Sequence, residues 1–153
     1  SFTHANAKAL SPSVRNKTDE ELKAMSEKGG VVGAVCWGGA TWVKEGVGPT
    51  VEDYFDQIDY MVGLIGVDHV GIGTDMDEDV RTKEDWSSLR AKPSYVPLFP
   101  PWFTFEMRYP KELTWYHQFP NITKGLVVRG YSDQEIKKIL GENFLQLFER
   151  VWK

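Results

Sequence analysis

Cysteine is almost absent: Cys36 is the only one in 153 residues. No disulfide can therefore close within the chain, and no zinc site built on paired thiolates can form. Cys36 lies in Val31-Val32-Gly33-Ala34-Val35-Cys36-Trp37, where a free thiol reads as a small buried hydrophobe rather than a nucleophile. Long apolar runs are missing as well. None nears the roughly 18–20 residues that span a bilayer. The closing Phe148-Glu149-Arg150-Val151-Trp152-Lys153 has no hydrophobic tail of the kind that signals a lipid anchor, so no membrane segment is expected. Charge of one sign is lacking too. The 18 basic and 22 acidic residues leave a net −4, with the basic ones scattered, which argues against a nucleic-acid partner. Ser1-Phe2-Thr3-His4 opens the chain without Met and without a targeting pattern. Such a start reads as processed, cloned or incomplete, which leaves upstream signals and the compartment open.

What is present is a globular composition, 41% apolar and 26% charged, at a length that makes one domain with a real core. Strand and helix signals alternate. Thr18-Asp19-Glu20-Glu21 is a capping box, predicting a helix through Leu22 and Met25 that stops at Gly29-Gly30. A strand from Val31 to Trp37 follows at once. Thr50 predicts the cap of a second helix, whose Tyr54, Ile58, Met61 and Ile65 recur at helical spacing. Gly66 ends it, and Val67-Asp68-His69-Val70-Gly71-Ile72-Gly73-Thr74-Asp75 reads as a second buried strand that finishes on a carboxylate. Ile122 to Arg129 is a short helix closed by Gly130. Ser132-Asp133-Gln134-Glu135 opens another, with Ile136, Ile139 and Leu140 inward, and Phe144, Leu147, Phe148 and Val151 continue the apolar stripe.

Alternating strands and helices imply an α/β architecture with a parallel sheet. Two strands, with the end of a third before His4, are few for a free-standing sheet and point to part of something larger. Met76 to Phe119 has poor periodicity but is rich in aromatics, Trp86, Tyr95, Phe99, Trp102 and Phe103 among them. A segment of that length is a lid, a pocket wall or an oligomer interface, and its aromatic content argues against disorder. Leaving the strand directly after Asp75, it should lie over the face where that carboxylate sits.

Residues just past the carboxyl ends of parallel strands line the active face, so Asp75 is placed for proton transfer or metal ligation. Gly71-x-Gly73 lacks the third glycine and helix of a dinucleotide fingerprint. Asp75, Asp77 and Asp79 alternate as in a calcium loop, but Val80 stands where the sharp-turn glycine belongs and Trp86 where the bidentate Glu belongs. His4 follows the presumed first strand end, although a lone histidine is more often structural than a ligand. His69, at a strand entry, reads as structural, and His117 has no assignable role. Arg15 can fork onto a substrate carboxylate or simply face solvent.

Thr3-His4-Ala5-Asn6-Ala7-Lys8-Ala9-Leu10, then Arg15-Asn16 and Thr18-Asp19-Glu20, resemble the Ser-His-Ser-Asn-Ala-Arg segment of membrane (renal-type) dipeptidases. Gly29-Gly30-Val31-Val32-Gly33, the strand ending Gly73-Thr74-Asp75-Met76-Asp77, and the closing Arg129-Gly130-Tyr131-Ser132 and Ile139-Leu140-Gly141-Glu142-Asn143-Phe144-Leu145 are similar to that family in the same order. The resemblance implies the C-terminal portion, over residues 1–153, of an amidohydrolase-like (β/α)8 TIM-type barrel, with 76–119 an enlarged loop. It implies zinc-dependent hydrolysis of dipeptides, two zinc ions on the carboxyl face and a dipeptide or small amide as substrate. His4 would be a metal ligand, Arg15 the group that binds the substrate carboxylate, and Asp75 the acid/base. Glu78 departs from the glycine usual after the second Asp. The family's His-x-Asp pair, bridging Glu and further His have no counterpart in this chain. The expectation is that the chain alone is inactive and self-associates through open sheet edges and apolar helix faces. Two other readings stay open: an amidohydrolase acting on a non-dipeptide substrate, and a non-catalytic binding or assembly module.

Overall fold

A computed structural model describes residues 1–77, 83–92 and 99–152. Glu78, Asp79 and Val80, on which the departure from the family pattern and the rejected calcium loop rest, lie outside the described residues, as does Tyr95.

Helix α1 (Asp19–Glu27) begins where the capping box demands: Thr18 Oγ1 accepts from the Glu21 amide and the Glu21 carboxylate accepts from the Thr18 amide. It buries Leu22 and Met25 and turns at Gly29, whose φ of 70° only glycine adopts readily. Strand β1 (Val32–Ala34) follows, then the single turn α2 (Gly38–Thr41) and α3 (Val51–Ile65), capped by the reciprocal Thr50–Asp53 pair. Tyr54, Ile58 and Met61 form the buried stripe of α3, while Ile65 is only partly buried. Strand β2 (Val70–Ile72) pairs parallel with β1, Gly33 opposite Gly71, and a parallel bridge from Phe2 to Val32 adds the edge of a third strand. The described fold is thus mixed α/β with few strands.

Both strands are shorter than the sequence predicts, for identifiable reasons. The β1–β2 ladder stops after Ala34, whose carbonyl accepts from the Gly73 amide, because the Cys36 amide reaches the Thr74 carbonyl and so slips by one residue. On the opposite edge Asn6 Oδ1 accepts from the Val35 amide at 3.1 Å and Asn6 Nδ2 donates to the Val35 carbonyl at 2.9 Å. At the other strand, Val67–His69 form a 3-10 turn after Gly66, so β2 starts three residues later than expected. His69 is structural here, its Nδ1 lying 2.8 Å from the Gly30 carbonyl.

Met76 to Phe119 is less irregular than its periodicity indicates. It contains α4 (Lys83–Arg90) and 3-10 turns at Phe105–Met107, Lys111–Leu113 and Tyr116–Gln118. Phe99 and Phe103 each pack, edge-on or tilted, against both Trp37 and Trp86 at centroid distances of 4.7–5.8 Å, contacts worth about 0.5–1.5 kcal/mol each beyond area burial. The segment therefore folds back on β1 and α2.

The remainder closes the layer. α5 (Pro120–Val128) buries Ile122 and Leu126, and the Arg129 that follows it clamps Glu52, Asp56 and Asp59, three acids at helical spacing on α3. After α6 (Asp133–Lys137) and a π-turn, α7 (Asn143–Val151) anchors β2, since buried Asn143 Nδ2 donates to the carbonyls of Val67 and Val70 at 2.7 and 2.8 Å. The expected stripe on α7 is not core: Phe144, Leu147 and Phe148 are half-buried and Val151 is exposed. No helix among the described residues is long and apolar enough to cross a membrane.

The glycines of Gly71-x-Gly73 have packing roles. A Cβ at Gly71 would meet the Phe144 ring at 2.6 Å; one at Gly73 would meet the Thr3 carbonyl oxygen at 2.0 Å, and one at Gly33 the same oxygen at 2.3 Å. Gly73→Ala is expected to cost about 1–3 kcal/mol, because rigid backbone must shift. Gly63→Ala, on an exposed face of α3 with nothing within 4 Å, should instead stabilise by about 0.5–1 kcal/mol. Denaturant unfolding of the two variants measures both signs.

Candidate active site

The N-terminal segment owes its position to buried amides. Asn6 is fully buried, and besides Val35 its Nδ2 donates to the Ala40 carbonyl and to Thr41 Oγ1, each at 3.2 Å. Its backbone amide donates to Asn16 Oδ1, and Asn16 Nδ2 reaches the carbonyls of Ser11 and Ala40. The amide of Ala7 donates to the buried Gln57 of α3 at 2.8 Å. These bonds fix the loop on which His4 and Arg15 stand at the carboxyl end of β1. Unmade, each would leave a buried polar group costing about 1–3 kcal/mol.

Asp75 follows β2 by three residues, and its φ of 56° makes it the one described non-glycine residue in the left-handed region. Its carbonyl accepts from the Tyr109 hydroxyl at 2.7 Å, and that hydroxyl also lies 2.7 Å from Asp77 Oδ1 and accepts from the Asp77 amide at 3.2 Å. Burial, and then the bond to Asp77, push the Tyr109 phenol well above its ordinary range, so it remains a donor at any physiological pH. On the other side the Thr74 carbonyl accepts from the amide and thiol of Cys36 at 3.3 and 3.2 Å. Burial raises the Cys36 thiol far above the range of a reactive thiolate, in keeping with a packing role.

Asp75 borders two adjoining cavities. One, about 220 Å³, is lined by Arg15, Trp37, Asp75, Asp77, Trp86, Phe99, Arg108 and Tyr109. The other, about 370 Å³, is lined by Thr3, His4, Gly73, Thr74, Asp75 and Phe119 among others. The guanidinium of Arg15 lies over the Trp37 ring at 5.1 Å and its Nη2 is 4.0 Å from Asp75 Oδ2. That is close enough to attract but too long for a hydrogen bond, so Arg15 can exchange this partner for a ligand. His4 is exposed and its Nδ1 is 2.9 Å from Thr3 Oγ1, which leaves Nε2 as the ring nitrogen facing outward chemistry. His117 is exposed and lines neither cavity.

All three candidate residues thus stand around the same strand ends, with Asp75 shared between His4 on one side and Arg15 on the other. As to a metal, no group of three or more His, Cys, Asp or Glu that could hold one occurs among the described residues. Reading the sequence missed Asn6, Asn16, Trp37, Arg108 and Tyr109. The asparagines flank His4 and Arg15 in the very motif that drew attention, which was a usable signal. Tyr109 and Arg108 come from a segment without periodicity and had none.

The left-handed backbone at Asp75 makes a test. Asn tolerates that region nearly as Asp does, whereas other side chains pay roughly 1–2 kcal/mol there. Asp75→Asn should leave stability within about 0.5 kcal/mol, while Asp75→Val lowers it by about 1–2 kcal/mol. Thermal unfolding of the pair reads the difference.

Comparison with known proteins gives a consistent result. The family model described as membrane dipeptidase (peptidase family M19) matches residues 1–94. A Klebsiella pneumoniae protein described as an uncharacterized protein in the pqqA 5′ region is 29% identical over 99% of this chain and 46% of its own length. The dipeptidase ataJ of Aspergillus terreus is 28% identical over 98% of this chain and 30% of its own. Among solved structures, an amidohydrolase from Pseudomonas aeruginosa superposes with a TM-score of 0.76 at 27% identity, covering 97% of this chain and 44% of that one. The dipeptidase AC, a metallopeptidase of family M19, gives 0.71 at 23% identity, covering 97% of this chain and 35% of that one. The chain therefore spans less than half the length of each of these proteins.

Proposed function

The chain belongs to the membrane dipeptidase family, peptidase family M19, and from that premise we propose that it is the C-terminal part of a (β/α)8-barrel metallodipeptidase. The observation that carries the proposal is the shared position of Asp75 between the Arg15 cavity and the His4 cavity. Residues 1–153 supply one side of the active face, and the enlarged loop over 76–119 supplies a wall of the substrate cavity.

Arg15 holds the terminal carboxylate of the substrate, where a planar fork gives both charge and orientation. Asp75 takes a proton from the attacking water and returns it to the leaving amine.

The family implies a metal, and zinc, two ions with His4 as a ligand, is the assignment we favour. His4 and Asp75 are too few donors for such a site, and no larger cluster stands among the described residues. The remaining ligands are assigned to the rest of a complete barrel. A second reading, hydrolysis of a non-dipeptide amide, draws on the aromatic cavity wall of Trp37, Trp86 and Phe99.

In the complete, metal-loaded protein, Asp75→Asn is expected to lower kcat on dipeptides by about 10²–10⁴-fold with the fold intact by circular dichroism. Arg15→Met should act mainly by raising KM. Turnover of no dipeptide by the complete protein would favour the second reading, and full activity of Asp75→Asn would overturn the catalytic assignment. The 153-residue chain alone is expected to show no metal-dependent hydrolysis and to self-associate. Its exposed Val127, Val128, Leu145, Val151 and Trp152 and its open two-strand sheet leave apolar surface and backbone donors unpaired. Light scattering showing a monodisperse monomer contradicts the latter.

A further inference from the structure

The wall that α4 and the turn after Phe105–Met107 contribute to the Arg15 cavity carries two donors without acceptors. Arg108 Nη1 and Trp86 Nε1 are both buried and both lack a hydrogen-bond partner among the described residues, and both residues line the cavity. Buried donors of this kind are rare, and each calls for an explanation.

The donors are held in place. The Arg108 carbonyl accepts from the Gly38 amide, its Nε donates to the Phe105 carbonyl at 3.2 Å, and its guanidinium carbon lies 3.7 Å over the Phe105 ring and 6.0 Å from the Trp86 ring. The Trp86 indole is 5% exposed and packs against Phe99 and Phe103. Among the described residues, Asp77 is the one carboxylate paired with Arg108. Its Oδ1 is 3.6 Å from Nη1, beyond a hydrogen bond, and is engaged by the Tyr109 hydroxyl. The cavity thus presents two guanidinium groups, and only Arg15 has been given an anion to bind.

We propose that Arg108 and Trp86 form a second donor subsite, which takes the side-chain carboxylate of an acidic residue at the carboxyl end of the substrate. The inference rests on the dipeptidase reading and deepens it. Arg15 binds the terminal carboxylate, Arg108 binds the side-chain carboxylate of the same residue, and the Trp86 N–H donates to it. Both guanidiniums open on one cavity of about 220 Å³, roughly seven times the 30 Å³ share of a water molecule, which suits one short residue better than a long side chain. Pairing a charged donor with a carboxylate discriminates against the isosteric amide, because an amide leaves the guanidinium unneutralised.

The test compares dipeptides ending in Glu or Asp with those ending in Gln or Asn, on the complete metal-loaded protein. The expected result is a kcat/KM roughly tenfold to hundredfold higher for the acid than for its amide. Arg108→Met should bring that ratio close to one, and Trp86→Phe, which keeps the ring and removes the N–H, should lower it in part. A ratio is unaffected by the fraction of variant that folds. Equal rates on acid and amide in the parent protein, or an unchanged ratio in Arg108→Met, overturn the proposal. A titration of tryptophan fluorescence with N-acetylglutamate and N-acetylglutamine separates the two levels of the argument. If no dipeptide is turned over but the acid binds tighter and Arg108→Met abolishes the difference, the dipeptidase reading fails and the subsite stands. If acid and amide bind alike, the subsite fails whatever the activity.

Discussion

The carboxamide of Asn6 occupies the place beside Val35 that the next residue of a strand would take, donating to one backbone group and accepting from the other. The rest of the site depends on that substitution. It continues the N-terminal edge of β1 with a side chain in place of backbone, while Cys36 bonds Thr74 on the opposite edge and the chain turns into α2 through Trp37. With Asn16 bonding both the Asn6 amide and the Ala40 carbonyl, the loop bearing His4 and Arg15 becomes part of the core. A buried amide satisfied on both its ends specifies one geometry, because any slip would strand several polar groups away from water. Close backbone contact does the rest. The Thr3 carbonyl sits where Gly33 and Gly73 have no Cβ, which draws the first chain segment against both strand ends and sets His4 beside Asp75.

The two sides of the site are held by different forces. Arg15 is aimed by the face of Trp37 and by a loose attraction to Asp75, an arrangement that a ligand can displace at low cost. Asp75 is held through its backbone, by Tyr109 and by its place after Thr74, so its carboxylate stays unencumbered in a conformation that side chains seldom adopt. Strained backbone at a group with a proposed chemical role is a recurrent arrangement. The aromatic segment makes it possible, since Tyr109 reaches Asp75 only because Phe99 and Phe103 pin that segment on Trp37 and Trp86.

Much of the helical framework was legible. The boxes at Thr18, Thr50 and Ser132 each cap the helix they announce, because capping is local and its residues are diagnostic. Strand lengths were not, since β1 slips against β2 at Cys36 and Thr74 while its other edge is taken by a side chain from 29 residues earlier, and no period encodes contacts of that range. The outer stripe of α7 reads as core by its spacing yet is half-exposed. Periodicity reports which face is apolar, not what lies against it. At the site, Asp75, Arg15 and His4 were found through position and motif, whereas Arg108, Trp86 and Tyr109 arrive from a segment whose order comes from packing of aromatics rather than from any repeat.

A crystal structure of the complete, metal-loaded protein with a phosphinate dipeptide analogue decides whether Arg15, Asp75 and His4 are one side of a metallodipeptidase active face. The expected result is the analogue's carboxylate on Arg15, its tetrahedral group against Asp75 and a metal on His4 Nε2. An analogue carboxylate bound away from Arg15, or metals bound without His4, would contradict it.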